Sequence, residues 1–191
     1  MSRIEPVDPN VADAKTRTLL DAVRSKLGAV PNMTRTMARS PAVLDAYLAF
    51  SGALAKTSLS AAVRERLALA VGEVNGCDYC LSAHSAIGRK VGLSQEEVDA
   101  ARLGRAGDPK TTALLAFARE LVLRRGELKD ADLRAVREAG ATDAEVVEVV
   151  AVAALNVFTN WFNHVTDPEI DFPIVRAGDG VSAAAAAGSE R

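Results

Sequence analysis

Glu73-Val74-Asn75-Gly76-Cys77-Asp78-Tyr79-Cys80-Leu81-Ser82-Ala83-His84 holds both cysteines of the 191-residue chain and one of its two histidines. A helix read over 60–75 stops at Asn75-Gly76, and a second is read over 77–91. On that second helix Cys77, Cys80 and His84 fall at i, i+3 and i+7, one stripe on one face. A thiol pair beside an imidazole suits a disulfide or a thiolate nucleophile. The thiolate is the reactive form, and a helix N-terminus or a neighbouring imidazolium favours it.

Helix signals continue outward in both directions. Ser40-Pro41 and Asp108-Pro109 set a cap residue before a proline at the first helical position, while Ser94 with Glu97 and Thr142 with Glu145 have capping-box spacing. Gly28, Gly92, Gly104, Gly126 and Gly140 stand where helices should end. Together these signals predict helices over 11–27, 33–39, 41–56, 60–75, 77–91, 94–103, 109–125, 130–139 and 143–165, with no strand hairpin. The expected fold class is all-α, eight or nine helices in one domain over 1–170, followed by a tail over 171–191. Asp167-Pro168-Glu169-Ile170-Asp171-Phe172-Pro173 is expected to be extended, because proline disfavours helix in the residue before it. Ala183 to Ala187 and Gly188-Ser189-Glu190-Arg191 are expected to be frayed and disordered.

Hydrophobic residues make up 49% of the chain but aromatics only 4%, so the core is expected to be Ala, Leu and Val, which lets helices pack closely. A formal net charge of -2 with interspersed signs gives no basic field for nucleic acid and no polybasic patch for anionic lipid. No leader pattern and no apolar run long enough to span a bilayer is read, so no membrane association and a cytoplasmic location are expected. In a reducing compartment a stable structural disulfide is disfavoured, which points a Cys-x-x-Cys pair toward catalysis, redox activity or metal binding.

The helix over 143–165 carries apolar residues, from Val146 to Phe162, on more than one face. It is expected either to run through the centre of the domain or to supply a subunit interface. Trp161 and Phe162 read as packing residues, and His164 as a helix-end histidine bonded to a carbonyl. Arg102 to Arg105 and Arg124-Arg125 read as cations suited to helix C-termini. A shift of 80 residues lays Glu145, Val157, Asn160 and His164 over Glu65, Cys77, Cys80 and His84, which would make the fold two related helical units.

Glu65, followed by eleven residues and then Cys77-x-x-Cys80-x-x-x-His84, resembles the AhpD-like alkylhydroperoxidases of the carboxymuconolactone decarboxylase superfamily. The resemblance covers mainly Leu59 to Leu103, and the ending Phe162-Asn163-His164-Val165-Thr166-Asp167-Pro168-Glu169-Ile170-Asp171-Phe172-Pro173 is similar to the peroxidase-related branch. It implies an all-α fold, homo-oligomers (trimer or hexamer), and thiol-dependent reduction of hydroperoxides without a cofactor or metal. An external dithiol, lipoyl or thioredoxin-like, is the reductant it suggests. Carried over by position, Cys80 corresponds to the peroxidatic cysteine, Cys77 to the resolving one, and Glu65 and His84 to a proton relay. This chain departs from characterised relatives at Tyr79, where they carry a histidine.

The residues leave alternatives open. Helix-dipole reasoning favours Cys77 as the more acidic thiol, whereas the histidine favours Cys80. Measured from Gly76, the arms to Glu65 and His84 differ by roughly 4 to 5 Å, a gap for a long side chain and a water to bridge. Glu73 is closer in sequence but reads as an exposed or cap-adjacent residue. Zinc on Cys77, Cys80, His84 and His164, a non-catalytic redox sensor, and a pair of inert buried thiols are the competing readings. Carboxymuconolactone decarboxylation proper is disfavoured, because that branch does not rely on a cysteine pair.

Overall fold

The computed structural model describes residues 2–179, and the fraying expected at Ala183 to Arg191 lies outside them. Nine α-helices and no strand are found among the described residues: α1 (Ala14–Leu27), α2 (Asn32–Met37), α3 (Pro41–Leu54), α4 (Ala61–Asn75), α5 (Asp78–Lys90), α6 (Gln95–Arg102), α7 (Pro109–Leu123), α8 (Asp130–Glu138) and α9 (Asp143–Thr166). The caps explain the boundaries. Asp108 accepts the Thr111 N–H ahead of Pro109, and Ser94 with Glu97 and Thr142 with Glu145 form reciprocal capping boxes. Ser40 departs from expectation: α3 starts at Pro41, but the serine side chain makes no cap hydrogen bond.

The turn between α4 and α5 sets the geometry of everything that follows. Gly76 takes φ +65°, its N–H bonds to the Glu73 carbonyl, and the Cys77 N–H bonds to the Gly72 carbonyl at 3.0 Å. This is a Schellman closure, in which the left-handed residue costs little only as glycine. Cys77 then serves as the N-cap of α5, so one residue ends one helix and starts the next. Gly72 allows close packing, since a Cβ there would lie 3.5 Å from Leu81 and 3.7 Å from the Cys80 Cβ.

α4 is the hub. It packs against α5, α9, α7 and α6, and Leu67, Leu69, Val71, Leu81, Leu114, Leu115 and Val149 fill the space between them with no solvent exposure beyond 2%. A second cluster of Leu20, Val23, Met37 and Leu44 joins α1, α2 and α3, with Phe162 of α9 packed against it. α9 runs through the middle, against α4, α7, α3 and α5. By length and composition α9 is apolar enough to cross a membrane, which corrects the reading that no such run exists. Its buried face nevertheless carries Asn156, Asn160 and Asn163 beside Val149 and Val152. The opposite face leaves Val147, Phe158, Trp161 and Val165 exposed, so Trp161 at 65% exposure is not the packing residue expected.

The echo between the two halves does not extend to structure. α9 continues as one helix through the position that matches the Gly76 turn, where Asn156 donates to the Val152 carbonyl inside the helix. Without a glycine to take the left-handed conformation, the second stretch cannot fold into a helical pair.

After Asp167, at φ 47°, the chain runs back across α5. The Val175 N–H donates to Ser82 Oγ at 2.9 Å, the Ala177 N–H to Asp78 Oδ1 at 2.8 Å and the Gly178 N–H to Glu73 Oε1 at 2.8 Å. Through Asp179, the segment read as a tail from residue 171 is therefore a strap bonded to α4 and α5. Arg102 ends α6 and Glu73 stands beside the Gly76 cap, as read, but the two form a 2.8 Å ion pair, with Arg102 4% exposed and also donating to the Arg176 carbonyl, so both charges are held within the fold.

Candidate active site around the cysteine pair

Cys77 and Cys80 are joined sulfur to sulfur and are 1% and 3% exposed. Cys77 Sγ also accepts the Cys80 N–H at 3.3 Å, a cap bond from the first turn of α5. Tyr79 between them, with Met33, Ala83, Ile170 and Phe172, closes the cluster on its outer side. The Tyr79 hydroxyl donates to Asp171 Oδ1 at 2.7 Å and accepts the Met33 N–H at 3.1 Å, and its ring meets Phe172 edge-on at 5.8 Å. Burial, followed by the Asp171 carboxylate that holds its proton, pushes the Tyr79 phenol well above its usual range. Tyr79 thus fastens the strap and stays neutral.

His84 and Glu65 meet directly, Nδ1 to Oε2 at 2.7 Å, with 24% and 17% of their side chains exposed. No water is required to bridge them, because the long glutamate side chain spans the mismatch between the helical arms. The Glu65 carboxylate takes up Nδ1, and Nε2 is the ring nitrogen left for another partner. His84 forms no hydrogen bond to Cys80.

The two come together at a cavity of about 150 Å³ lined by Cys80, His84, Glu65, Tyr47, Asn163 and apolar residues including Met33, Ile87, Val152 and Leu155. Cys77 is not among its lining residues. A volume of that order accommodates a molecule about the size of benzene. Burial and then the Glu65 carboxylate push the Tyr47 hydroxyl up to about 12, so Tyr47 also faces the cavity as a neutral group.

Of the four zinc candidates, Cys80 and His84 line the cavity, whereas Cys77 and His164 do not. His164 turns its Nε2 to the Gly76 carbonyl at 3.3 Å, in keeping with a helix-end histidine, and no group of three or more His, Cys, Asp or Glu suited to a metal occurs among the described residues. Sequence reasoning missed Asn163. Its Nδ2 reaches Cys80 Sγ at 3.2 Å from the buried face of α9. A signal existed in the helical spacing of Asn156, Asn160 and Asn163, since amides on the core face of an apolar helix need a reason to be there.

Residues 41–121, from α3 into α7, match the Carboxymuconolactone decarboxylase family. A solved structure described as an alkylhydroperoxidase AhpD core, an uncharacterized peroxidase-related protein from Ralstonia eutropha JMP134, is 27% identical over 89% of this chain and 92% of that chain, with a TM-score of 0.81. An uncharacterized peroxidase-related protein from Silicibacter sp. TM1040 is 26% identical over 86% of this chain and 90% of that chain, with a TM-score of 0.75. These matches support assignment to the AhpD/carboxymuconolactone decarboxylase superfamily. The AhpD-like fold is also that of the debrominase Bmp8, 21% identical over 88% of this chain and 91% of that chain, TM-score 0.76. No curated protein sequence matches the chain. The segment matched by the family model, 41–121, ends before α9 and does not include Asn163.

Proposed function

We propose that this AhpD-like protein is a thiol-dependent peroxidase that reduces small organic hydroperoxides through a Cys77–Cys80 disulfide cycle. The observation that carries the reading is that Cys80, and not Cys77, lines the cavity shared by His84 and Glu65. A substrate in that cavity meets one sulfur and one basic nitrogen together.

The cycle starts from the dithiol. The Cys80 thiol gives its proton to His84 Nε2, and Glu65 on Nδ1 stabilises the imidazolium. The thiolate attacks the terminal oxygen of the hydroperoxide, the S–O bond forms as the O–O bond breaks, and the departing alkoxide takes the proton from His84 to leave as an alcohol. Cys80 is now a sulfenic acid, and the peroxide has been reduced by two electrons. The Cys77 sulfur attacks it, the S–S bond forms, and the hydroxyl leaves as water with the Cys77 proton. An external dithiol, lipoyl or thioredoxin-like, returns two electrons by thiol–disulfide exchange.

A homo-oligomer, trimer or hexamer, is part of the same reading. It is supported by the exposed apolar residues along α9, which a monomer leaves in water. The cytoplasm suits a cycle that needs a dithiol donor.

Intact mass and free-thiol count, taken before and after one equivalent of tert-butyl hydroperoxide and again after excess dithiol, test the cycle. The expected result is loss of two hydrogens, full recovery, and repeated turnover with dithiol present. Cys80→Ser should consume no peroxide, whereas Cys77→Ser should leave a trappable sulfenic acid on Cys80. Equal loss of the first oxidation step in both variants reverses the assignment of roles. A single stoichiometric oxidation without turnover makes the pair a redox sensor.

A further inference from the structure

Asn163 is 4% exposed and makes its side-chain hydrogen bonds to sulfur alone: Nδ2 lies 3.2 Å from Cys80 Sγ, 3.5 Å from Met33 Sδ and 4.0 Å from Cys77 Sγ. A disulfide sulfur and a thioether carry no proton, so they act only as acceptors, and the amide must turn its NH2 end toward them. That fixes the orientation of the carboxamide. The Oδ1 end is then buried with no hydrogen-bond partner among the described residues, although the residue lines the cavity with Cys80, His84 and Glu65. A buried carbonyl oxygen without a donor is destabilising, and a fold retains one where something else gains by it.

We propose that Asn163 is a catalytic residue with two simultaneous roles, a hydrogen-bond donor to the Cys80 thiolate through Nδ2 and an acceptor for the O–H of the incoming hydroperoxide through Oδ1. The donor role concerns the thiol alone. The acceptor role rests on the peroxidase reading. A neutral amide N–H stabilises the anionic sulfur relative to the thiol and lowers its pKa, in a pocket whose burial acts the other way. A hydroperoxide offers one donor, its terminal O–H, on the oxygen that the sulfur must attack. With that O–H held at roughly 2.7 Å from Oδ1, the same oxygen comes within the ~3 to 3.5 Å approach of Sγ that a reaction needs, since the donor and acceptor ends of one carboxamide are adjacent. In the attack the terminal O–H keeps its proton and becomes the hydroxyl of the Cys80 sulfenic acid, still bonded to Oδ1. The alkoxide leaves toward His84. Asn163 and His84 therefore handle the two oxygens separately.

The test uses full-length reduced protein carrying Cys77→Ser, which leaves one thiol, with Asn163, Asn163→Leu or Asn163→Asp. The first reading is the pH profile of Cys80 alkylation by iodoacetamide, with no peroxide present. The midpoint should rise by about one pH unit in Asn163→Leu and by more in Asn163→Asp, where a carboxylate faces the thiolate. Coincident midpoints in all three overturn the donor role. The second reading is sulfenic acid formation with tert-butyl hydroperoxide, above all three midpoints so that thiolate content is equal. Asn163→Leu should be slower by about tenfold or more, and Asn163→Asp, which keeps an acceptor, should recover most of that loss. Equal rates overturn the acceptor role. Should Asn163→Leu fail to fold by circular dichroism, the isosteric Asn163→Asp decides the donor role by its midpoint, and Asn163→Ser replaces leucine in the second reading. If the protein with Asn163 forms no sulfenic acid, the peroxidase reading and the acceptor role fall together, and the alkylation profile still decides the donor role.

Discussion

Arg102 and Glu73 show what a single buried charge does in this fold. The guanidinium is 4% exposed and holds Glu73 at 2.8 Å and the Arg176 carbonyl at 2.8 Å, while the second oxygen of Glu73 takes the Gly178 N–H. Removing one partner leaves the other desolvated and unpaired. Arg102→Met should therefore cost about 2 to 4 kcal/mol, a little under the usual range for a broken buried pair because the Glu73 side chain keeps some contact with solvent. Arg102→Met with Glu73→Gln should recover a large part of that loss, since no lone charge remains. Urea denaturation of the three proteins at pH 7 checks both statements, and a double variant no more stable than Arg102→Met denies that the lone carboxylate is the cause. Neither role was legible in the sequence, where Arg102 and Glu73 stand 29 positions apart at the ends of different helices. The Glu65–His84 pair was legible through the resemblance, because helical register alone left a gap of roughly 4 to 5 Å between the two arms, which the glutamate side chain spans. Asn163 was quoted in the sequence but given no task, because a distance of 83 positions to Cys80 is set by how α9 crosses α5.

At the level of elements, boundaries were readable and long-range packing was not. Ser94-Glu97, Thr142-Glu145, Asp108-Pro109 and the terminal glycines act locally, so the helices fall close to the predicted ranges. The strap acts across the fold. Pro168 and Pro173 mark it as non-helical, but its anchors, Asn32, Tyr79, Ser82 and Asp78, lie in α2 and α5. This has a consequence for access to the disulfide. Ile170 and Phe172 cover two sulfurs that are almost fully buried, and Asp171 locks the cover by accepting from Tyr79 Oη at 2.7 Å and from the Asn32 N–H at 2.8 Å. A dithiol entering from the outer side waits for local opening of the strap, whose frequency follows its local stability. Asp171→Ala removes both bonds, a loss of about 1.4 kcal/mol or more, so opening becomes roughly tenfold more frequent. Reduction by dithiothreitol, followed by free-thiol appearance under native conditions, should accelerate about tenfold in Asp171→Ala. An unchanged rate would place the reductant's route through the cavity instead.

For the whole molecule, the unfinished surface is α9. Its inner face completes the core, whereas Val147, Val150, Phe158, Trp161 and Val165 on the outer face are 68%, 41%, 39%, 65% and 66% exposed. Ala154 is exposed between them, and the intervals of three and four residues make one straight apolar seam along the helix. Beside it, Leu121, Val122, Val150, Val157 and Trp161 line a groove of about 740 Å³ between α7 and α9. The sequence showed that this helix is apolar on more than one face, but only the packed fold separates the face that belongs to the core from the face that does not. A second copy is the occupant that the proposed oligomer supplies. In a ring trimer the substitution enters every subunit contact once, and across a two-fold axis of a hexamer it enters the same contact twice. Burial of a large apolar side chain contributes roughly 1.5 to 3 kcal/mol, and a carboxylate in its place adds a desolvation cost. Trp161→Glu should therefore shift the protein at micromolar concentration from an oligomer to a monomer in sedimentation velocity. Its far-ultraviolet circular dichroism and the dithiothreitol reduction rate of its disulfide should stay as they were, because Trp161 touches neither the core nor the strap. Persistence of the oligomer in Trp161→Glu moves the interface away from α9, and a monomeric wild type removes the oligomer itself.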